Sequence, residues 1–349
     1  MRAAVLRNGA IEVRQTDDPV PGPGQILVRS LACGICASDL HFMDHPEVDD
    51  ETGMSNYDPD RDIVMGHEYC AEVVDYGPDT ERKFAVGTRI SSIPALLAPD
   101  GLRIIGQSPD APGGFGEYFL LSEAMAHAVP SALPNELVSI ADAISVGWGY
   151  VNTAAISAQE VPLVIGLGAI GLSAVASLKR LGIGPIVAVD FVASRRETAL
   201  AMGADVVIDP AEISPYDAWR QVAYGDPAPV RDMFKLMGLP KCVVFECVGR
   251  PGVLDAIIMG TERGTRVFSA GGPPDGDHLH TMVAKRKGIN IQFGGGPSFT
   301  HWAEAFEEVC SGSIDVTPMF GHTVSLDEVP AALDAARDAN GPARIVVVP

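Results

Sequence analysis

Sulfur, imidazole and carboxylate side chains cluster twice early in the chain, as Cys33-Gly34-Ile35-Cys36-Ala37-Ser38-Asp39-Leu40-His41 and as Gly66-His67-Glu68-Tyr69. A catalytic zinc takes about three protein ligands and keeps one position open for water or substrate. Cys36 and His67 offer a thiolate and an imidazole, donors that suit a borderline-soft cation. Asp39 is a candidate to orient the His67 ring through its other nitrogen. Taken alone, the Cys33-x-x-Cys36 pair also fits a dithiol redox motif, although no βαβ pattern of the kind that carries such a motif surrounds it. An isolated His or Cys more often fills a core than binds a metal. Two clusters together, with a nucleotide signature downstream, favour the metal.

That signature is Gly166-Leu167-Gly168-Ala169-Ile170-Gly171, which follows an apolar strand at residues 163–165 and opens a helix. The first glycine permits a tight turn, the second lets the backbone approach a pyrophosphate, and the third lets helix and sheet pack closely. The helix N-terminus adds unpaired N–H groups for the phosphates. Asp190 ends the next strand, 19 residues past Gly171. There a carboxylate accepts hydrogen bonds from ribose hydroxyls and repels a 2′-phosphate, which favours NAD over NADP. Arg195 and Arg196 pull the other way, since a guanidinium accommodates that phosphate.

Two architectures must position these residues, and 349 residues suffice for two domains. As far as residue 125 the sequence alternates short apolar strands (3–6, 25–30, 71–75, 89–93, 116–121) with Pro and Gly breakers, which predicts an irregular, mostly antiparallel β domain. The acidic stretch 44–62 has no period and reads as an exposed loop. From residue 161, apolar strands alternate with helix-length amphipathic stretches, the pattern of an α/β, doubly wound parallel sheet of about six strands. Helical stretches at 300–310 and 326–340 and a closing strand at 343–348 are too few for a third domain and are expected to return to the first. The division expected is 1–150 with 294–349 returning to it, and 151–293 for the dinucleotide.

The balance of 25 Lys and Arg against 45 Asp and Glu gives a net charge of -20, which disfavours nucleic acid and anionic membrane surfaces as partners. An apolar content of 47% and a mean hydropathy of +0.17 describe a well-cored chain and exclude a disordered one. No apolar run approaches the roughly 18 residues that span a bilayer and no signal-peptide pattern opens the chain, so the expected location is the cytoplasm. Six cysteines without framework spacing read as core residues or metal ligands.

Cys33 to His41, Gly66-His67-Glu68, Gly87-Thr88-Arg89-Ile90, Gly113 to Tyr118 and Gly166 to Gly171 occur in an order and spacing that resembles the medium-chain, zinc-dependent alcohol dehydrogenases over nearly the whole chain. The resemblance implies a Rossmann domain beside a mostly β, GroES-like catalytic domain. It further implies zinc on Cys36 and His67, with Glu68 a nearby alternate ligand and Asp142 the best-aligned third one. Ser38 and His41 become a proton relay, Arg195 lies against the adenosine half, and the nicotinamide lies near Val146 and the backbone from Ala270 to Gly272. Hydride transfer between a primary or secondary alcohol and NAD, giving an aldehyde or ketone, is the implied activity, and a homodimer or homotetramer the implied assembly.

Departures sharpen these expectations. Residues 88–112 contain no cysteine, which removes the family's optional structural zinc and leaves one zinc per chain. Ala37 stands where some relatives carry a basic phosphate contact. The competing readings are a metal-free quinone or enoyl reductase of the same superfamily, and a non-catalytic nucleotide-binding protein. The Cys36, His67, Asp142 set argues against the first and the Ser38, His41 pair against the second.

Overall fold

The computed structural model describes residues 1–46, 54–130, 132–232, 235, 237–273, 276–338, 341 and 344–349. Contacts divide it into two compact units, one of Met1–Asp142, Phe306–Gly312 and Met319–Pro349, the other of Ala143–Ala305 and Ser313–Pro318.

The first unit opens with β1 (Arg2–Arg7), β2 (Ala10–Gln15) and β3 (Gln25–Gly34), then helix α1 (Ala37–Asp44). It continues with β4 (Ile63–Val64), β5 (Glu68–Tyr76), β6 (Arg89–Ser92), β7 (Ala95–Ala98), β8 (Gly101–Ile104), β9 (Tyr118–Ser122) and β10 (Ala126–Ala128). Helix α2 (Ala141–Ala154) carries the chain across the division. The second unit holds β11 (Glu160–Ile165), α3 (Ala169–Arg180), β12 (Val187–Val189), β13 (Val206–Ile208), β14 (Lys241–Glu246), β15 (Arg266–Ser269) and β16 (Asn290–Phe293). Strands β17 (His322–Val324) and β18 (Ile345–Val347) belong to the first unit again.

In the first unit β3 is the organising strand, antiparallel to β5, β9 and β18. Its apolar residues Ile26 and Val28 pack with Phe42, Phe115, Phe119 and Val347 in one buried cluster. Phe42 comes from α1 and is wholly buried, with its ring edge-on to Tyr57 at 5.9 Å, so the short helix is fixed by its own core anchor.

The second unit is a six-stranded, all-parallel sheet in the order β13-β12-β11-β14-β15-β16. Strands covered on both faces read as continuous apolar runs, and Cys242 to Phe245 in β14 are all buried. This strand order reverses direction between β11 and β14, where open α/β sheets bind ligands at the carboxyl ends of their strands.

Three expectations change. The stretch expected as one helix over 326–340 is a 3-10 turn at Leu326–Glu328 followed by a helix at Val329–Ala336, because Pro330 fits only the first turn of a helix. The exposed loop expected over 44–62 begins inside α1, and its residues 47–53 lie outside the described residues. In the closing strand expected at 343–348, residue 343 is likewise outside them and the observed strand is Ile345–Val347.

Candidate metal centre and dinucleotide site

Helix α1 starts immediately after β3, which places Cys36 at its entrance and Asp39 in its first turn. Asp39 is completely buried, and a buried carboxylate requires donors. Its Oδ2 accepts from the Cys36 backbone N–H at 2.9 Å, while Oδ1 lies 3.0 Å from His67 Nδ1. A carboxylate only accepts, so the ring donates through Nδ1, and Nε2 is left facing Ser38 Oγ at 3.0 Å. Gly66 makes the preceding turn at φ +94°, and a Cβ there would come 2.5 Å from the Phe115 ring.

Cys36, His67 and Glu68 each offer one ligand atom, and all three atoms lie within 4.8 Å of one another. Burial raises the Cys36 thiol, but the hydrogen bond and charge of His67 outweigh it and bring it down to about 7. Cys33 differs: it is wholly buried, which pushes its thiol well above the ordinary range. Burial works against charging His67, yet the charge and hydrogen bond of Asp39 prevail and raise it.

Glu68 is 1% exposed and pairs with Arg344, itself 4% exposed. The sheet brings them together. Glu68 lies opposite Gly34 across β5 and β3, and Val346 lies opposite Gly34 on the other side. A Cβ at Gly34 would stand 2.7 Å from Glu68 Oε2 and 3.5 Å from Arg344 Nε, so the bare backbone of β3 is what lets the two side chains meet over it.

Asp142, expected as the third ligand, is half-buried at the start of α2 and is not one of the three clustered donors. Burial is the main cause that raises Cys33 and Tyr69, and the Asp142 charge adds a smaller push in the same direction. Glu68 takes the near position because it follows His67 directly on β5. His41 is exposed one turn beyond Ser38 on α1, its ring 5.4 Å from that of His45. Arg344 has no local signal in the sequence, since only the β3–β18 pairing places it.

In the second unit the Gly166 to Gly171 segment joins β11 to α3. Gly166 has φ +89° and a Cβ there would meet Val248 at 2.7 Å, while one on Gly171 would press on the Gly166 carbonyl. A Cβ on Gly168 would enter open space, which marks that backbone as the one a ligand can approach. The helix N-terminus at Ala169 and Ile170 supplies N–H groups beside it. Asp190 accepts from Leu167 N at 2.8 Å on one oxygen and from Val192 N at 2.8 Å on the other, tying the glycine loop to the end of β12. Arg195 lies 3.8 Å from Asp190, and Arg196 is committed to the carbonyls of Asp190 and Phe191 and to Asp209. Ala270 follows β15, its N–H bonded to the Glu246 carbonyl at 2.9 Å. A cavity of about 240 Å³ in this unit is lined in part by Val146, Tyr150, Thr153, Phe268 and His301.

Comparison with known proteins agrees with both halves of this description. The sequence matches the family description "Alcohol dehydrogenase GroES-like domain" over residues 22–131 and "Zinc-binding dehydrogenase" over residues 169–311. The sorbitol dehydrogenase of Bacillus subtilis (strain 168) is 25% identical over 353 residues, covering 96% of this chain and 93% of that protein. The (R,R)-butanediol dehydrogenase of the same strain is 28% identical over 254 residues, covering 69% and 71%. The crystal structure of 2R,3R-butanediol dehydrogenase from Bacillus subtilis superimposes with a TM-score of 0.81 at 23% identity, over 100% of this chain and 99% of that one, which speaks to the fold. Two matched domains in the expected order, over a parallel sheet with a glycine loop and a β unit with a sulfur, imidazole and carboxylate cluster, place this chain in the medium-chain zinc-dependent dehydrogenase family, and it is an oxidoreductase.

Proposed function

We propose that the chain is an NAD-dependent alcohol dehydrogenase that holds one catalytic zinc through Cys36, His67 and Glu68 and converts an alcohol to an aldehyde or ketone. The observation that carries this reading is the convergence of three chemically suitable donors within 4.8 Å. The donor set fits zinc: a thiol already brought to about 7, an imidazole whose Nδ1 is engaged so that Nε2 is the coordinating nitrogen, and a carboxylate. This set also disfavours the metal-free reductase, which has no use for it.

When bound, zinc supplies Lewis acidity to a substrate hydroxyl and the dinucleotide supplies a hydride acceptor. The protein's own residues do the rest. Asp39 fixes the His67 ring and the Cys36 backbone together. Ser38 Oγ, beside His67 Nε2, is the hydroxyl placed to take the substrate proton. His41, at the i+3 position on the same helix and exposed, passes it to water. Gly166, Gly168 and Gly171 with the first turn of α3 cradle the pyrophosphate, and Asp190 receives the ribose hydroxyls. Arg196 is occupied and Arg195 is drawn toward Asp190, which supports NAD as the preferred cofactor. The cavity beside Val146 supports that region as the nicotinamide end.

Secondary alcohols with neighbouring hydroxyls, sorbitol and 2,3-butanediol first, are the substrates to assay, because proteins named for them are similar to this chain. A cytoplasmic location and a homodimer or homotetramer complete the proposal. Among the described residues no helix is long and apolar enough to cross a membrane. Elemental analysis of the purified active protein should find one zinc per chain. Cys36→Ala should lose zinc and turnover together, whereas Cys33→Ala should keep both. A Cys36→Ala protein with full activity after chelation would end the metal reading.

A further inference from the structure

Glu246 closes β14 and is 1% exposed, yet none of the steps above uses it. Its Oε1 accepts from Val248 N at 2.7 Å and from Gly249 N at 2.8 Å, and its Oε2 accepts from Ser269 Oγ at 2.6 Å. Ser269, level with it on β15, also reaches the Gly271 carbonyl at 2.9 Å. One carboxylate therefore ties the turn after β14 to the end of β15.

That turn has two further neighbours. Cys247 N donates to Ile165 O at 2.9 Å, and a Cβ on Gly166 would meet the Cys247 carbonyl at 3.0 Å, so the turn backs directly onto the glycine loop. A Cβ on Gly271 would come 2.5 Å from Gly249 N, so the same turn is also wedged against the segment after β15. The carboxyl ends of β11, β14 and β15 thus share one support, and these are the strand ends at which a doubly wound sheet holds its dinucleotide. A buried carboxylate is expensive unless its oxygens are engaged, and those of Glu246 are engaged by the backbone N–H groups of Val248 and Gly249 and by the Ser269 hydroxyl.

We infer that Glu246 is a positioning residue for dinucleotide binding, acting through the Val248–Gly249 turn and Ser269 on the strand ends beside Gly166. The inference rests on the cofactor reading given above. Glutamine can replace the carboxylate: its amide oxygen takes both backbone N–H groups, its amide nitrogen donates to Ser269 Oγ, and the Ser269 hydroxyl then donates to Gly271 O.

Titration of the purified zinc-loaded enzyme with NAD, followed by calorimetry and steady-state kinetics, tests this. Glu246→Ala should raise the NAD Kd and KM by about tenfold or more while kcat at saturating NAD and zinc content stay near wild type, and Glu246→Gln should restore the affinity to within about threefold. A residue with only a structural role would lower the melting temperature and leave Kd alone, so a folded Glu246→Ala protein with wild-type NAD affinity overturns the inference. If that variant does not fold, Ser269→Ala is read instead: a Kd raised by about threefold or more supports the inference, and wild-type affinity overturns it. Wild-type protein that binds neither NAD nor NADP would overturn the cofactor reading itself, an outcome visible before any variant is made.

Discussion

Asp39 and His67 are joined by a 3.0 Å contact between Oδ1 and Nδ1, while the other oxygen of the same carboxylate holds the Cys36 backbone N–H at 2.9 Å. One side chain thereby sets the tautomer of one metal-ligand candidate and the backbone of another. Asp39→Asn offers one acceptor and one donor to two donors, so one bond becomes a repulsive contact. Zinc affinity should fall by about 10- to 100-fold, measured by competition with a chelating dye, with kcat falling as the metal is lost. Unchanged metal retention in the Asn variant would remove Asp39 from the centre.

Arg344 and Glu68 form a buried pair, and deleting one partner of such a pair costs more than the pair contributes. Arg344→Met should destabilise the zinc-free protein by about 3–5 kcal/mol in denaturant unfolding. If Glu68 binds zinc, loading the metal should shrink that loss, since the cation then answers the carboxylate. An equal loss with and without zinc would show that Glu68 is not a ligand.

In the proposed dinucleotide site the preference for NAD over NADP is assigned to Asp190, whose oxygens accept from Leu167 N and Val192 N. Asp190→Ala removes both bonds and the charge that opposes a 2′-phosphate, and it frees Arg195. The expected result is kcat/KM for NAD lowered by about tenfold, with the NADP-to-NAD ratio rising by more than that. A wild-type enzyme that already prefers NADP would contradict the premise.

The second unit carries an acid-sensitive tie. Arg266 grips both oxygens of Glu160 at 2.8 Å, and Ser157 donates to the same carboxylate. Burial raises the Glu160 carboxyl, but the hydrogen bonds from Arg266 and Ser157 outweigh it and hold it below its ordinary value of 4.5. A carboxyl lowered in the folded state adds stability that is complete above its unfolded value and disappears as pH falls through the folded one. Glu160→Gln should therefore cost about 1–3 kcal/mol at pH 7 in urea unfolding, with the gap closing in acid. A gap that is the same at both ends of the pH range would assign the loss to packing.

What could be read from the sequence was what is local. The glycine loop, the acid at the end of the next strand, and Asp39 three positions after Cys36 all lie on one or two consecutive elements, so spacing alone identifies them. The helix boundary at Pro330 was missed because the apolar pattern runs on through a residue whose ring and missing N–H forbid the interior of a helix. Glu68 is legible as a candidate because it directly follows His67, whereas the place of Asp142 relative to the Cys36, His67 and Glu68 cluster depends on packing that spacing does not record. Arg344 was invisible for the same reason, as was Glu246, whose neighbours come from the ends of two other strands. Strand β2 and the β7–β8 hairpin stand out weakly because β2 buries none of its residues fully and the hairpin strands have four residues each.

The crossing of Glu68 and Arg344 over the side-chain-free backbone of Gly34 sets an order of events during synthesis. Cys36, His67 and Glu68 emerge from the ribosome early, but the only cation that meets the Glu68 carboxylate within the described residues is 276 positions further on. Until residue 344 is made and β18 pairs with β3, the described chain offers the Glu68 carboxylate no cation of its own, so the first unit is complete only when both separated stretches of sequence are present.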